Sequence, residues 1–307
     1  MPAWNEVLAE TQVAGSVHDV IRRRHLRKLH QYTKRPTILY YSGWLQKPQL
    51  QNQAGIQLGI SDADKNGFMS VIKGLDRDRG LDLLLHTPGG DMAATESLVD
   101  YLRAMFGNDI RAVIPQLAMS GGTIMALACK QIVMGKESSI GPIDPQFGSM
   151  AATGLLQEFE RIREEIKKDS ANALLWEPIL RKINPGFITE CENAVRWARV
   201  MAERFLKENM FANVKGAPAK ISKIINHLTE KQTTITHGRH IGLDEAKEIF
   251  GDRIVLLEED QKLQDLVLTV HHACIVTLQA TPAFKMVENH TGRAFMQQAQ
   301  QVLQVGK

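Results

Sequence analysis

Two glycine-marked turns carry the groups best suited to chemistry. The first runs Thr87-Pro88-Gly89-Gly90-Asp91 and the second Ala118-Met119-Ser120-Gly121-Gly122-Thr123. Each follows a segment patterned as a strand and opens a segment patterned as a helix. Such a turn aims backbone N–H groups at one point, where the helix N-terminus also favours negative charge. Glycines there allow a ligand or a second backbone to approach closely. Two of these turns, one βα unit apart, suit an oxyanion hole for acyl transfer, with Ser120 at the apex of the second as nucleophile. The competing reading of Ser-Gly-Gly is a helix cap. The second turn is not G-x-S-x-G, because Ala118 holds the first position. Nor is a Walker A loop present, since Gly135-Lys136 is followed by Glu137.

The elements that must position these turns are legible in the pattern. Residues 37–44 are β-branched and aromatic, 80–86 form a short apolar run, and 110–116 and 131–135 repeat that signal. Helical spacing fills 62–74 and 91–106, with Asp91 as a candidate cap, and a further helix follows the Ser120 turn. Apolar strands alternating with helices predict parallel βαβ units with both sheet faces covered. Residues 154–212 are rich in Glu, Lys, Arg, Leu and Ala and carry no strand signal, so a helical insertion is expected. Residues 232–256 return to strand, turn, short helix and strand. The tail, 260–307, reads as helical and amphipathic, with a glutamine-rich end that suits an assembly arm or a frayed terminus.

Composition narrows the function classes. The chain has 307 residues, 44% apolar and 23% charged, enough to bury a sizeable core. Its net charge of +3 points to neither a nucleic-acid binder nor a membrane-surface protein. Seven Lys or Arg and no acid lie between Arg22 and Arg35, on an expected helix at 16–30. That is a patch for nucleic acid or an acidic partner or, as Tyr32 alone does not make a stacking platform, a solvated face or oligomer contact. Cys129, Cys191 and Cys274 are odd in number and widely spaced, which fits a reducing compartment. No signal pattern or membrane-length apolar run is present, so a cytoplasmic location is expected. Two metal-like patterns fail on their own terms. Asp62 to Gly67 copies the start of a calcium loop, but Lys73 stands where a bidentate Glu is needed, so a capped helix start explains it better. His271-His272 beside Cys274 has no second ligand pair nearby, and core packing is expected. Trp176 and Trp197 are expected to pack the helices of the insertion. Neither metal nor cofactor is expected.

Taken together, Leu83 to Asp91, a helix, then Ala118 to Gly148 with its Gly-Pro-Ile-Asp-Pro run resemble the ClpP and signal-peptide-peptidase-A branch of the ClpP/crotonase superfamily, most closely the serine dehydrogenase proteinase family. Thr236 to Gly251 is similar to the segment that closes those folds. The resemblance covers roughly 37–150 and 232–256. It implies a ClpP/crotonase-like α/β fold of stacked parallel βαβ units, with a helical insertion and C-terminal helices. The implied organisation is an N-terminal basic helix (1–36), a catalytic domain (37–256, insertion about 154–212) and a C-terminal helical arm (257–307). It also implies a homo-oligomer acting on a peptide or protein substrate, with any ATP-driven unfoldase a separate partner.

The implied activity is that of a serine endopeptidase. Ser120 would attack the carbonyl, the N–H groups of Gly90 and Gly121 would hold the oxyanion, and the Gly89-Gly90 stretch would pair with an extended peptide. The base is open. ClpP carries a His in a loop before a Pro, and here that place holds Asp144, which excludes a direct copy of its triad. Signal-peptide-peptidase-like enzymes use a downstream Lys, for which Lys168 is the nearest equivalent and Lys167 the second; such a lysine must be desolvated. The rival is His237, giving Ser120, His237 and Asp144 with acid and imidazole exchanged between loops. The plainer readings are a solvated helix face for the lysines, a polar turn residue for His237 and a turn former for Asp144. Other classes stay open: a non-catalytic scaffold that kept the groove and lost the base, or a crotonase-type acyl-CoA enzyme.

Overall fold

The computed structural model describes residues 18–148, 150–229 and 238–299. The chain forms two compact units, 1–140 with 241–307, and 141–240. The first unit carries a central sheet of seven strands. Helix α1 (His18–Thr33) leads into β1 (Thr37–Ser42), followed by α2 (Asp62–Ile72), β2 (Leu81–His86), α3 (Met92–Phe106) and β3 (Ile110–Ile114). The short β4 (Leu117–Ala118) then opens α4 (Gly121–Leu127), and β5 (Gln131–Met134) and β6 (Ser139–Ile140) close this half.

The second unit holds the hairpin β7 (Gln146–Phe147) and β8 (Met150–Ala151), then α5 (Ala152–Lys168), α6 (Asn172–Leu180), α7 (Phe187–Phe205) and α8 (Ala217–Thr229). Its helices run from Ala152 to Thr229, where composition led to a helical insertion over about 154–212. The Trp176 indole donates to Glu165 on α5 at 2.9 Å, which packs α6 onto its neighbour as expected of that tryptophan.

The chain returns to the first unit through β9 (Ile241–Gly242), α9 (Leu243–Phe250), β10 (Ile254–Leu256), α10 (Gln261–Ala280), β11 (Ala283–Asn289) and β12 (Ala294–Gln298). The large sheet has the order β10-β5-β3-β2-β1-β11-β12, and its first five strands are parallel. β1 and β2 are buried along their whole length, which accounts for runs such as Leu83-Leu84-Leu85 that do not alternate. On one face, Leu39, Tyr41, Leu84, Val113 and Val133 pack against Leu26 and Leu29 of α1 and Val267, Val270, Cys274 and Leu278 of α10. On the other, Phe68 of α2 lies against Tyr40, ring centroids 5.7 Å apart.

The tail departs from the expected helical arm. Residues 261–280 are helical, but Pro282 ends that run and β11 and β12 add an antiparallel hairpin to the sheet beside β1. The basic N-terminal helix is likewise part of the first unit. Arg22 is fully buried and ion-paired with Glu288 of β11, Arg23 joins the same carboxylate, and Arg35 engages Asp82 and Asp109. Several of the seven cations therefore serve intramolecular pairs.

The calcium-like segment is a helix start. Ser61 caps α2 in a reciprocal box with Asp64, whose carboxylate also accepts from the Tyr40 hydroxyl (2.9 Å) and Lys285 Nζ (3.0 Å). His271 is buried in α10, as core packing requires.

Candidate active site

The two glycine turns meet at the C-terminal ends of β2 and β4. Thr87, just past β2, bridges Ala118: its N–H donates to the Leu117 carbonyl, and the Met119 N–H donates back to the Thr87 carbonyl, both at 3.0 Å. Three residues further, Gly90 bridges Ile60. The Ile60 N–H donates to the Gly89 carbonyl (2.7 Å) and the Asp91 N–H to the Ile60 carbonyl (2.9 Å). Successive backbone groups on extended chain point to opposite edges. With the edge toward Ile60 filled, the Gly90 N–H faces the other way. That direction is the Ser120 turn, because a β-carbon on Gly121 would lie 3.3 Å from the Gly90 nitrogen. Among the described residues neither the Gly90 nor the Gly121 N–H has a backbone acceptor, and Gly121, as the first residue of α4, has none within its helix.

Ser120 sits at φ 49° and ψ −112°, a conformation that costs a non-glycine residue on the order of 1–3 kcal/mol. Its side chain makes no capping bond to α4. The helix-cap reading of Ser-Gly-Gly is thereby removed: the hydroxyl is half-buried, and among the described residues nothing holds it. Gly89, at φ 95°, fits against it so closely that a β-carbon there would lie 2.6 Å from the Ser120 Cβ. The arrangement is a serine hydroxyl beside two backbone donors from different turns. It can present a nucleophile and hold a developing oxyanion.

A buried polar network holds the Ile60 side of this frame. Lys285 of β11, 1% exposed, donates to the Gly59 carbonyl (2.6 Å) and to Asp64 (3.0 Å). Burial pushes its pKa down, and Asp64 opposes the shift. A cleft of about 430 Å³ opens on the same side, walled by Trp44, Ile56, Leu58, Ile60 and Pro88 and ending at Gly89 and Gly90. Trp44 lies against His86, the last residue of β2, with ring centroids 4.4 Å apart and the planes tilted by 36°. His86 is fully buried, and neither ring nitrogen finds a hydrogen-bond partner among the described residues. Burial, and secondarily His271, holds its pKa well below the usual imidazole value.

The structure thus assembles Ser120, Gly89, Gly90 and Gly121. The other expected residues lie in the second unit or outside the described residues. Asp144 is buried and accepts from Gln146 Nε2 at 3.2 Å. Lys168 ends α5 and is exposed; Lys167 is exposed and paired with Glu164 at 2.7 Å. His237 lies outside the described residues.

A profile of ClpP-like SDH-type serine proteinases matches residues 56–252, almost two thirds of the chain and including both turns. The chain belongs to that family. Two uncharacterized proteins of Methanocaldococcus jannaschii are also similar to this SDH-type chain. One is 30% identical over 190 residues, 62% of this chain and 59% of the relative. The other is 33% identical over 111 residues, 36% and 38% respectively. The SDH-type chain therefore spans less than two thirds of the length of either relative.

The wall at 44–60, His86 and Lys285 are site features that the sequence reading did not single out. One signal was available. The connection from β1 to α2 is several times longer than the roughly 2–6 residues of an ordinary βα loop, and loops of that length in compact domains are usually functional.

Proposed function

We propose that this chain is a serine endopeptidase with Ser120 as nucleophile. The observation that carries the reading is the strained, uncapped Ser120 beside the free N–H groups of Gly90 and Gly121. Ser120 Oγ attacks the scissile carbonyl as a base takes its proton. The carbonyl oxygen becomes an oxyanion that accepts from both amides, and collapse expels the amine, which leaves with the proton. Water then hydrolyses the acyl-enzyme by the same steps.

Asp144 with His237, or Lys168, supplies the base in this reading. A lysine base must be desolvated, so Lys168, exposed on this chain, would serve only when covered, as in the homo-oligomer that the family likeness favours. No helix among the described residues is long and apolar enough to cross a membrane, and the proposed setting is the cytoplasm.

A fluorophosphonate probe tests the proposal. Labelling that is lost in Ser120→Ala supports it. Absence of labelling with peptide binding intact refutes it in favour of a scaffold. For the base, pH–rate profiles of Lys168→Ala and His237→Ala are decisive: loss in one variant names the residue, and full activity in both overturns the assignment.

A further inference from the structure

We infer that Tyr40 is a positioning residue for the Gly90 amide: its hydroxyl ties the Gly89 turn to the buried Asp64–Lys285 pair and so holds the proposed oxyanion donor in place. This rests on the peptidase reading of Ser120 and adds to it what sets the geometry of that site.

The need for an anchor comes from the turn itself. Gly89 and Gly90 stand at φ 95° and 156°, and two successive glycines leave a backbone many alternatives. A donor displaced by about 1 Å at a reacting centre costs about 10²-fold in rate. Groups outside the turn must therefore select one conformation.

The hydrogen bonds leading away from the turn identify them. The Gly89 N–H donates to Thr87 Oγ1 at 3.2 Å. Burial and Asp64 push the Tyr40 phenol well above its usual pKa, and a hydrogen bond from the Thr87 hydroxyl to the phenol oxygen opposes them. The Tyr40 hydroxyl donates in turn to Asp64 Oδ2 at 2.9 Å, and Lys285 Nζ donates to the same oxygen at 3.0 Å. From the Gly89 amide to Asp64 every donor points the same way, so each bond polarises and strengthens the next. The bond that ends the chain is charge-assisted.

A second route runs from the same pair. Lys285 donates to the Gly59 carbonyl at 2.6 Å, and the next residue, Ile60, engages the Gly89 carbonyl and the Asp91 N–H. Asp64 and Lys285 thus reach Gly89 twice, at its N–H through Tyr40 and Thr87 and at its carbonyl through Gly59 and Ile60. With those two groups and the Asp91 N–H all held, Gly90 between them keeps its N–H turned to the Ser120 turn. Tyr40 suits the task because it is itself fixed. It is fully buried, its ring lies against Phe68, and β1 runs between β2, which leads to Thr87, and β11, which carries Lys285. Both β1 and β11 lie outside the stretch that matches the family profile.

The test removes single hydroxyls. Tyr40→Phe keeps the ring, and Thr87→Val cuts the same chain one link nearer the turn. Each should lower the rate of fluorophosphonate labelling, and kcat on a cleavable peptide, by about tenfold or more, against about 10²–10³-fold for outright loss of an oxyanion donor. KM should stay within about twofold, because ground-state binding is untouched. The two losses should not add, so the double variant should label within about threefold of the slower single one. Tyr41→Phe is the matched control. Its hydroxyl is equally buried but meets His271 Nδ1 (3.3 Å), and labelling should be unchanged. Should Tyr40→Phe not fold, Thr87→Val against Tyr41→Phe decides the matter. Folded Tyr40→Phe and Thr87→Val proteins labelled within about threefold of the unaltered rate, losses that add, or an equal loss in Tyr41→Phe overturn the positioning role and leave the nucleophile standing. Absence of labelling in the unaltered protein overturns the peptidase reading beneath it.

Discussion

Gly89→Ala is the substitution that most directly probes the frame around Ser120. The new β-carbon would lie 2.6 Å from the Ser120 Cβ and 2.8 Å from both the Gly121 nitrogen and the Met119 carbonyl oxygen. Two of those neighbours are backbone, so no side chain can swing away. Non-bonded carbons settle at roughly 3.5–4.0 Å, so Gly89 and Ser120 must part by about 1 Å. Displacement of that size at a reacting centre costs about 10²-fold, and loss of one oxyanion donor about 10²–10³-fold. The rate of fluorophosphonate labelling should fall accordingly. Gly107→Ala is the control. Gly107 also has positive φ (66°), but a β-carbon there meets open space. It should cost about 1–3 kcal/mol of stability and leave labelling unchanged. A folded Gly89→Ala protein labelled within threefold of the unaltered rate would refute the oxyanion geometry.

Two further expectations concern the groups beneath the site. Lys285→Met strips Asp64 of its cation in a fully buried setting and should cost about 3–5 kcal/mol in urea unfolding, with most of that loss recovered when Asp64→Asn is added. A single-variant cost below 1 kcal/mol would show that the pair holds nothing. Burial pushes the pKa of His271 down to about 3 and that of His86 well below its usual value, so both are neutral in the folded chain, whereas unfolded histidines take up protons below about pH 6.5. The stability that they contribute is complete above that pH and is lost as pH falls, by about 1.4 kcal/mol each on going from pH 7.5 to 5.5. Unfolding free energies that stay level over that interval would contradict the assignment.

The sheet and its helices were legible because parallel βαβ units write themselves as unbroken apolar runs closed by glycine turns. Thr37–Ser42, Leu81–His86, Ile110–Ile114 and Gln131–Met134 all stand where the pattern put them. β11 was hidden for a physical reason. Its seven residues are all buried, yet Lys285, Glu288 and Asn289 are among them, so it lacks the unbroken apolar run of the other strands and falls within the expected helical, amphipathic tail. These polar groups are tolerated because each has a distant partner: Asp64 for Lys285, Arg22 for Glu288 and the Val71 carbonyl for Asn289. Such pairings link residues more than 200 positions apart, and no local periodicity carries that information.

The same contrast divides the candidate site. Its proposed oxyanion donors are backbone amides, so what the sequence must encode is the absence of side chains where three stretches of backbone converge. Glycine does this openly. A β-carbon on Gly90 would stand 2.1 Å from the Ile60 nitrogen, one on Gly59 2.9 Å from the Gly89 carbonyl oxygen, and one on Gly122 2.5 Å from Thr87 Cγ2. Each of these contacts forbids any larger residue, and the resulting clusters of glycine stand out against their apolar surroundings. A general base has no such signature. Lys168, Lys167 and His237 are residues of ordinary type in polar stretches, and what would make one of them a base is its desolvation and its distance to one hydroxyl. Those properties belong to tertiary or quaternary contact. The proposed nucleophile and the amides beside it stand out in a single chain, and the proton acceptor is the member of the candidate site that only a measured pH–rate profile can name.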